Sequence, residues 1–147
     1  MPTRSAQARW TGGLKDGNGT MRFGSGAFEG QYSFKSRMEE GTGTNPEELI
    51  AAAHAGCFSM AFANGLTEAG HKPQEISTEA KVQFEKTADG WTITRINLET
   101  EGTVPGIDDA SFNRIAGEAK KGCPVSKALA STEIVLHAVL KQGAQAR

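Results

Sequence analysis

The stretch that decides the fold is GTNPEELIAAAHAGCFSMAFANGL, residues 43–66. Asn45 stands at an N-cap position, Pro46 at the first helical position and Glu48 three residues after the cap. That is a capping-box pattern, with negative charge at the positive end of the helix dipole. The apolar run continues to about Ala69, where Gly70 and then Pro73 stop it. Leu49 to Leu66 is 18 residues without a formal charge, close to a bilayer-spanning length. Ala, Gly, His54, Ser59 and Asn64 dilute the run, and no Lys or Arg cluster anchors its ends, so a span is rejected. A helix apolar on nearly every side belongs at the centre of a fold. Its Ala and Gly content admits a second helix at close range, and in so small a chain that helix is expected from a second subunit.

Working outward, the first forty residues read as strands and turns. SAQARWTG (5–12) is one strand, GNGT (17–20) a turn and TMRFGS (20–25) the return strand of a hairpin. GAFEGQYSFKSR (26–37) reads as extended and EEGTGTNP (39–46) as a loop. Beyond the helix, EISTEAKVQFEK (75–86) alternates closely. Ile76, Thr78, Ala80, Val82 and Phe84 face one way and polar residues the other, as in a strand with one buried face. Asp89-Gly90 turns the chain into WTITRINLETEGTV (91–104). The apolar phase of that strand slips between Ile93 and Ile96, which marks a bulge or burial on both faces.

GIDDASFNRIAGEAKKG (106–122) is an amphipathic helix opened by Asp108 or Asp109 and closed by lysines, with Gly122 as C-cap. CPVSKALAS (123–131) is a short helix capped by Cys123, TEIVLHAVL (132–140) a last strand and KQGAQAR (141–147) a frayed tail. No repeat and no domain boundary interrupts residues 1–147. The fold class is α+β, antiparallel sheet packed on helices.

Composition narrows the function. The chain has 147 residues, 37% apolar and 22% charged, with a net charge of −1. That balance gives no bulk attraction to nucleic acid or anionic membrane. The start, MPTRSAQARW, has no apolar core of signal-peptide length, so the cytoplasm is the expected compartment. There two cysteines read as redox-active or buried rather than as a structural disulfide.

Cys123, at a helix N-cap with Lys120 and Lys121 just upstream, has a setting that favours thiolate. Cys57 lies too deep in its helix for the dipole to act on it. An unactivated thiol is only a few per cent ionised at neutral pH. A reactive Cys57 therefore needs a nearby cation, for which Lys35 and Arg37 are the candidates. Arginine suits a buried site better, since it stays charged and its planar fork can hold a thiolate while donating to a peroxide or carboxylate. Glu47 and Glu48 are available to pair with it, Glu48 being better explained by the helix dipole. Ten residues of straight helix rise about 15 Å, so Glu47 cannot sit beside the Cys57 of its own straight helix. A shared site requires a broken helix, a long arginine across the gap, or two chains; two chains are favoured.

His54, three residues before Cys57, shares its helical face and reads as a core histidine, a base for Cys57 or half of a metal site. His71 and His137 have no acidic neighbour at ligand spacing. With no third cysteine, a structural zinc site is disfavoured.

GTNPEELIAAAHAGCFSMA (43–61) and GCPVSKAL (122–129) closely resemble the two cysteine motifs of the OsmC/Ohr family, the osmotically inducible protein C and organic hydroperoxide resistance proteins. The forms AAHAGCFSMA and CPVSKAL resemble the OsmC branch, and the likeness spans essentially the whole chain. The resemblance implies an intertwined homodimer, with sheets wrapped around long central helices and active sites at the interface. It implies a thiol-dependent peroxidase for organic hydroperoxides, and less well for hydrogen peroxide, in stress defence. Cys57 falls at the family's peroxidatic position, Cys123 at the resolving one, Arg37 at the active-site arginine and Glu47 at its partner. A Cys57–Cys123 disulfide and a lipoyl-type dithiol reductant follow from it, with no metal or organic cofactor. A non-catalytic small-ligand binder, a thiol redox sensor and a metalloprotein using His54, Cys57 and Cys123 are the rival readings.

Overall fold

The computed structural model describes residues 1–141; the rest of the tail expected to fray lies outside the described residues. These residues form two compact units, Met1–Leu49 and Ile50 onward.

The first unit holds an antiparallel sheet, β1 (Ala6–Thr11), β2 (Asn18–Phe23) and β3 (Glu29–Tyr32), in that order. The hairpin turn is residues 12–17, not 17–20. Gly12 takes the positive φ of +95°, and Asp16 closes the loop on the Gly13 N–H at 2.9 Å. Gly17-Asn18-Gly19 carries turn chemistry, but the chain is already extended there. Gly19 pairs with both Trp10 and Tyr32, and a Cβ at that point would lie 2.7 Å from Trp10 Cε3 and 2.6 Å from Tyr32 Cε1. Glycine thus lets the two rings close over the middle strand, with centroids 5.3 Å apart.

The segment expected to stay extended instead splits into β3 and a short helix, α1 (Phe34–Met38). Ser33 and Ser36 nucleate the helix by capping each other's backbone N–H, at 3.2 and 2.8 Å.

Helix α2 (Pro46–Glu68) begins as its sequence predicts. Asn45 Oδ1 accepts from the Glu48 N–H at 2.7 Å. Only half of the capping box forms, because the Glu48 carboxylate accepts from the Thr44 hydroxyl instead, at 2.7 Å. The helix is a single unbroken element. It is not buried all round: His54, Phe58, Phe62 and Leu66 form a buried stripe at four-residue spacing, while Ala52, Ala53, Gly56, Met60 and Asn64 are exposed. By length and composition alone this helix is apolar enough to cross a bilayer.

In the second unit, β4 (Glu75–Thr87), β5 (Gly90–Thr103) and β6 (Glu133–Leu140) form a sheet in that order. β4 and β5 are antiparallel, and the expected phase slip is a bulge at Thr94: Gln83 pairs with Arg95 but Phe84 with Ile93. β6 departs from the antiparallel expectation and runs parallel to β5. Parallel strands need a long crossover, supplied here by α3 (Asp109–Gly122) and α4 (Pro124–Ala128). Asp108 caps α3 through the Ser111 N–H at 3.2 Å. Gly122 is the last helical residue, and the C-cap is Cys123.

The core lies between the inner face of this sheet and the helices. Phe62 packs between Phe58, tilted to it, and the edge of Phe112, with centroids 5.6 and 5.0 Å away, and Ile96, Leu98, Ile115 and Ala116 belong to the same cluster. Ser59 reaches β4 through Thr78 at 2.8 Å, and Thr78 in turn meets Thr100 at 2.9 Å.

Candidate functional site

Arg37 sits in the last turn of α1 and Glu47 in the first turn of α2. The guanidinium grips the carboxylate with two parallel bonds, Nε to Oε1 at 3.1 Å and Nη2 to Oε2 at 2.8 Å. The Glu47 bond raises the Arg37 pKa against the lowering effect of partial burial, so the cation is fixed in charge as well as in direction. Asn45 Nδ2 donates to the Ser36 carbonyl at 2.9 Å, tying α1 to the start of α2. Beside the pair lies a cleft of about 270 Å³ walled by Trp10, Leu14, Tyr32, Phe34, Arg37 and Met38. The glycine at position 19 therefore has a second consequence, since the Trp10–Tyr32 pair it permits forms one wall. Lys35, the other candidate cation, contributes its carbonyl, which accepts from the Glu39 and Gly41 N–H groups.

The second unit brings the two cysteines together. Both are free thiols; Cys57 is half-buried and packs against the buried cluster that holds Cys123, and each acts on the other's ionisation. Cys123 stands where α3 ends and α4 begins: its N–H donates to the Ala119 carbonyl at 2.9 Å, and its carbonyl accepts from the Lys127 N–H at 3.0 Å. Burial pushes the Cys57 thiol up, and donating to Cys123 pushes it further. Burial acts on Cys123 in the same sense. It is outweighed by the polar groups of Cys57, Ser126 and Val125 around it, so Cys123 comes out lowered.

The side chain that His54 bonds is Ser126, not Cys57. Its Nε2 lies 2.7 Å from the Ser126 hydroxyl, and its ring is wholly buried. Burial lowers its pKa, so the ring is neutral. The metalloprotein reading finds no support, since the described residues hold no cluster of three His, Cys, Asp or Glu suited to a metal. Ser126 is the residue that sequence reasoning missed. Its signal was the spacing Cys-Pro-Val-Ser, which puts a hydroxyl at the third helical position, where side chains turn back to the cap.

Comparison with known proteins identifies the family. A family model described as OsmC-like protein matches residues 39–137. Peroxiredoxin OsmC of Escherichia coli is 49% identical over 139 residues, covering 94% of this chain and 96% of that protein. An organic hydroperoxide resistance protein of Xanthomonas axonopodis is 35% identical over 89 residues, 60% of this chain and 61% of that one. In fold, the crystal structure of an organic hydroperoxide resistance protein from Elizabethkingia anophelis matches with a TM-score of 0.76 at 24% identity, covering 96% of each chain.

Proposed function

This chain belongs to the OsmC family, and from that premise we propose that it is a thiol-dependent peroxidase that reduces organic hydroperoxides to alcohols. The observation that carries the reading is two free cysteines, Cys57 and Cys123, gathered in one cluster, where each acts on the other's ionisation. The names borne by its relatives, a peroxiredoxin and an organic hydroperoxide resistance protein, point the same way.

In this mechanism the Cys57 thiolate attacks the distal peroxide oxygen. The O–O bond breaks, the alkoxide takes a proton and leaves as an alcohol, and Cys57 becomes a sulfenic acid. Cys123 then attacks the Cys57 sulfur. The S–O bond breaks, the oxygen leaves as water after protonation, and a disulfide forms. An external dithiol of lipoyl type restores both thiols. No metal or organic cofactor enters.

Because burial raises the Cys57 thiol, the first step requires a cation, and we assign that role to Arg37, oriented by Glu47. The fork on Glu47 fixes a planar, permanently charged group of the kind that stabilises a thiolate or a peroxide oxygen. The aromatic and apolar walls of the adjoining cleft suit an alkyl group, which favours organic hydroperoxides over hydrogen peroxide. Since α2 is unbroken, the broken-helix route to a shared site falls away.

We further propose a homodimer in the cytoplasm, with residues 1–147 acting as one OsmC-like domain. The support is the open face of α2, where Gly56 and the exposed Met60 offer small and apolar surface for another helix.

Stopped-flow oxidation of the reduced protein by cumene hydroperoxide and by hydrogen peroxide tests the activity, with Cys57→Ser as control. Rapid, Cys57-dependent consumption favouring the organic peroxide is expected. Reaction no faster than that of a free thiol overturns the proposal.

A further inference from the structure

His54 and Ser126 come from different helices and are buried together. His54 is 0% exposed and Ser126 5% exposed, and His54 Nε2 lies 2.7 Å from Ser126 Oγ. The bond ties α2 to α4. Further along, Ser59 ties α2 to the sheet through Thr78, independently of this bond.

The direction of the bond follows from the other ring nitrogen. Nδ1 is buried and, among the described residues, has no hydrogen-bond partner. A proton there would strand a buried donor, and a bare lone pair costs less. The neutral ring therefore carries its proton on Nε2 and donates it to Ser126 Oγ.

The bond also has a telling place. Cys57 follows His54 by one turn of α2, and residues three apart on a helix are neighbours on one face. Cys123 is the N-cap of α4 and Ser126 its third residue, two positions that meet at a helix start. One turn forward on α2 and one turn back on α4 thus lead from the bonded pair to the two thiols. Cys57 packs on the buried cluster that includes Cys123. A slide or roll of α2 against α4 that parted the sulfurs would also break this bond, in an interior closed to solvent.

We propose that His54 is a positioning residue: by donating from Nε2 to Ser126 it fixes the register of α2 against α4 and so keeps Cys57 and Cys123 within disulfide reach. In the peroxidase cycle this acts on the second step. Cys123 attacks the sulfenic sulfur of Cys57, the S–S bond forms, the S–O bond breaks and the oxygen leaves as water after protonation. The first step, at Cys57 alone, does not draw on the register. The place in turnover rests on the peroxidase reading; the register does not.

The test is therefore made without peroxide. The full chain is equilibrated with reduced and oxidised glutathione. The two protein thiols are oxidised to a disulfide while one oxidised glutathione is reduced to two glutathione thiols. The ratio of disulfide to dithiol gives the effective concentration of one cysteine at the other. In the folded chain, His54→Leu is expected to lower that concentration about tenfold. His54→Gln, whose amide donor stands close to the Nε2 position, should restore it. His54→Asn, whose donor stands nearer the Nδ1 position, should not. Ser126→Thr keeps the acceptor and Ser126→Ala loses it, and the two should divide in the same way. A residue that only stabilised the fold would lower the melting temperature without moving this equilibrium. An unchanged effective concentration in His54→Leu, or equal losses in His54→Gln and His54→Asn, overturns the inference. Nitrogen-15 NMR of the wild-type ring reads the donor directly, and a proton found on Nδ1 instead of Nε2 would refute it. A chain that consumes no peroxide would sink the peroxidase reading while the glutathione equilibrium still judged the register.

Discussion

Replacing Glu47 by Gln changes one atom of the Arg37 clamp. The carboxylate accepts at both oxygens, 3.1 Å from Nε and 2.8 Å from Nη2. An amide keeps one acceptor and turns the other into a donor facing a donor, so the fork must swing away or lose a bond. A hydrogen bond to a charged group contributes about 1.5–3 kcal/mol. Arg37 is 37% exposed, and solvent screening reduces that to about 1–2 kcal/mol. If this energy orients the guanidinium for the Cys57 thiolate, the second-order rate constant for cumene hydroperoxide falls about 5- to 30-fold. Stopped-flow measurement of Cys57 oxidation reads that constant, with thermal melting as the check on folding. Glu47→Asp, which keeps the charge and shortens the reach, should fall between the two. A Glu47→Gln protein that melts like wild type and reacts within about twofold of it refutes the assignment of Glu47 as the residue that aims Arg37.

Other outcomes are as open to measurement. Phe62→Ala removes the ring packed between Phe58 and Phe112; urea unfolding should show a loss of about 3–5 kcal/mol, and a loss near zero would contradict the described core. His54 titrates below its ordinary value of 6.5 in the folded chain, so between the two pKa values the unfolded state binds the extra proton. Stability should drop as pH falls through that window, and the drop should shrink in His54→Gln; equal slopes would show that His54 is not held neutral. Met60, 78% exposed on α2, should tolerate arginine in the monomer but not at a helix–helix interface, so Met60→Arg should lower the mass seen by light scattering. A wild-type protein that is monomeric at micromolar concentration would remove the dimer.

The parts legible in advance were those where local chemistry and tertiary packing ask for the same residues. Asn45-Pro46 with Glu48 starts a helix whatever surrounds it, and the alternation of β4 with Asp89-Gly90 makes a hairpin by itself. The slip between Ile93 and Ile96 located the Thr94 bulge because a period-two pattern cannot absorb an extra residue silently. Helix α1 was hidden because its five residues have no periodicity to read, although Ser33 and Ser36 hold its cap. The direction of β6 was not legible at all: Ile134, Leu136 and Ala138 alternate identically in a parallel or an antiparallel pair. Around the thiols, cysteine and histidine announce their chemistry by type, and the sequence did separate Cys57 from Cys123 by their distance from helix ends. That His54 turns to Ser126, 72 residues away, is a long-range contact, and helical spacing could only offer Cys57 as its neighbour.

Cys123 ends one helix and starts the next, with its N–H and carbonyl both bonded. Its main chain is therefore clamped from both sides while its sulfur remains in touch with Cys57. If the proposed disulfide forms, the held main chain would leave it to side-chain rotation rather than to displacement of α3 or α4. The redox cycle would be mechanically quiet, leaving the scaffold to be reused turn after turn without refolding. The same quietness makes the chain a poor messenger, because a sensor must convert a chemical event into movement of a bistable element. In the proposed cycle the chemistry would be insulated from the shape, which is what a catalyst needs and what a switch must avoid.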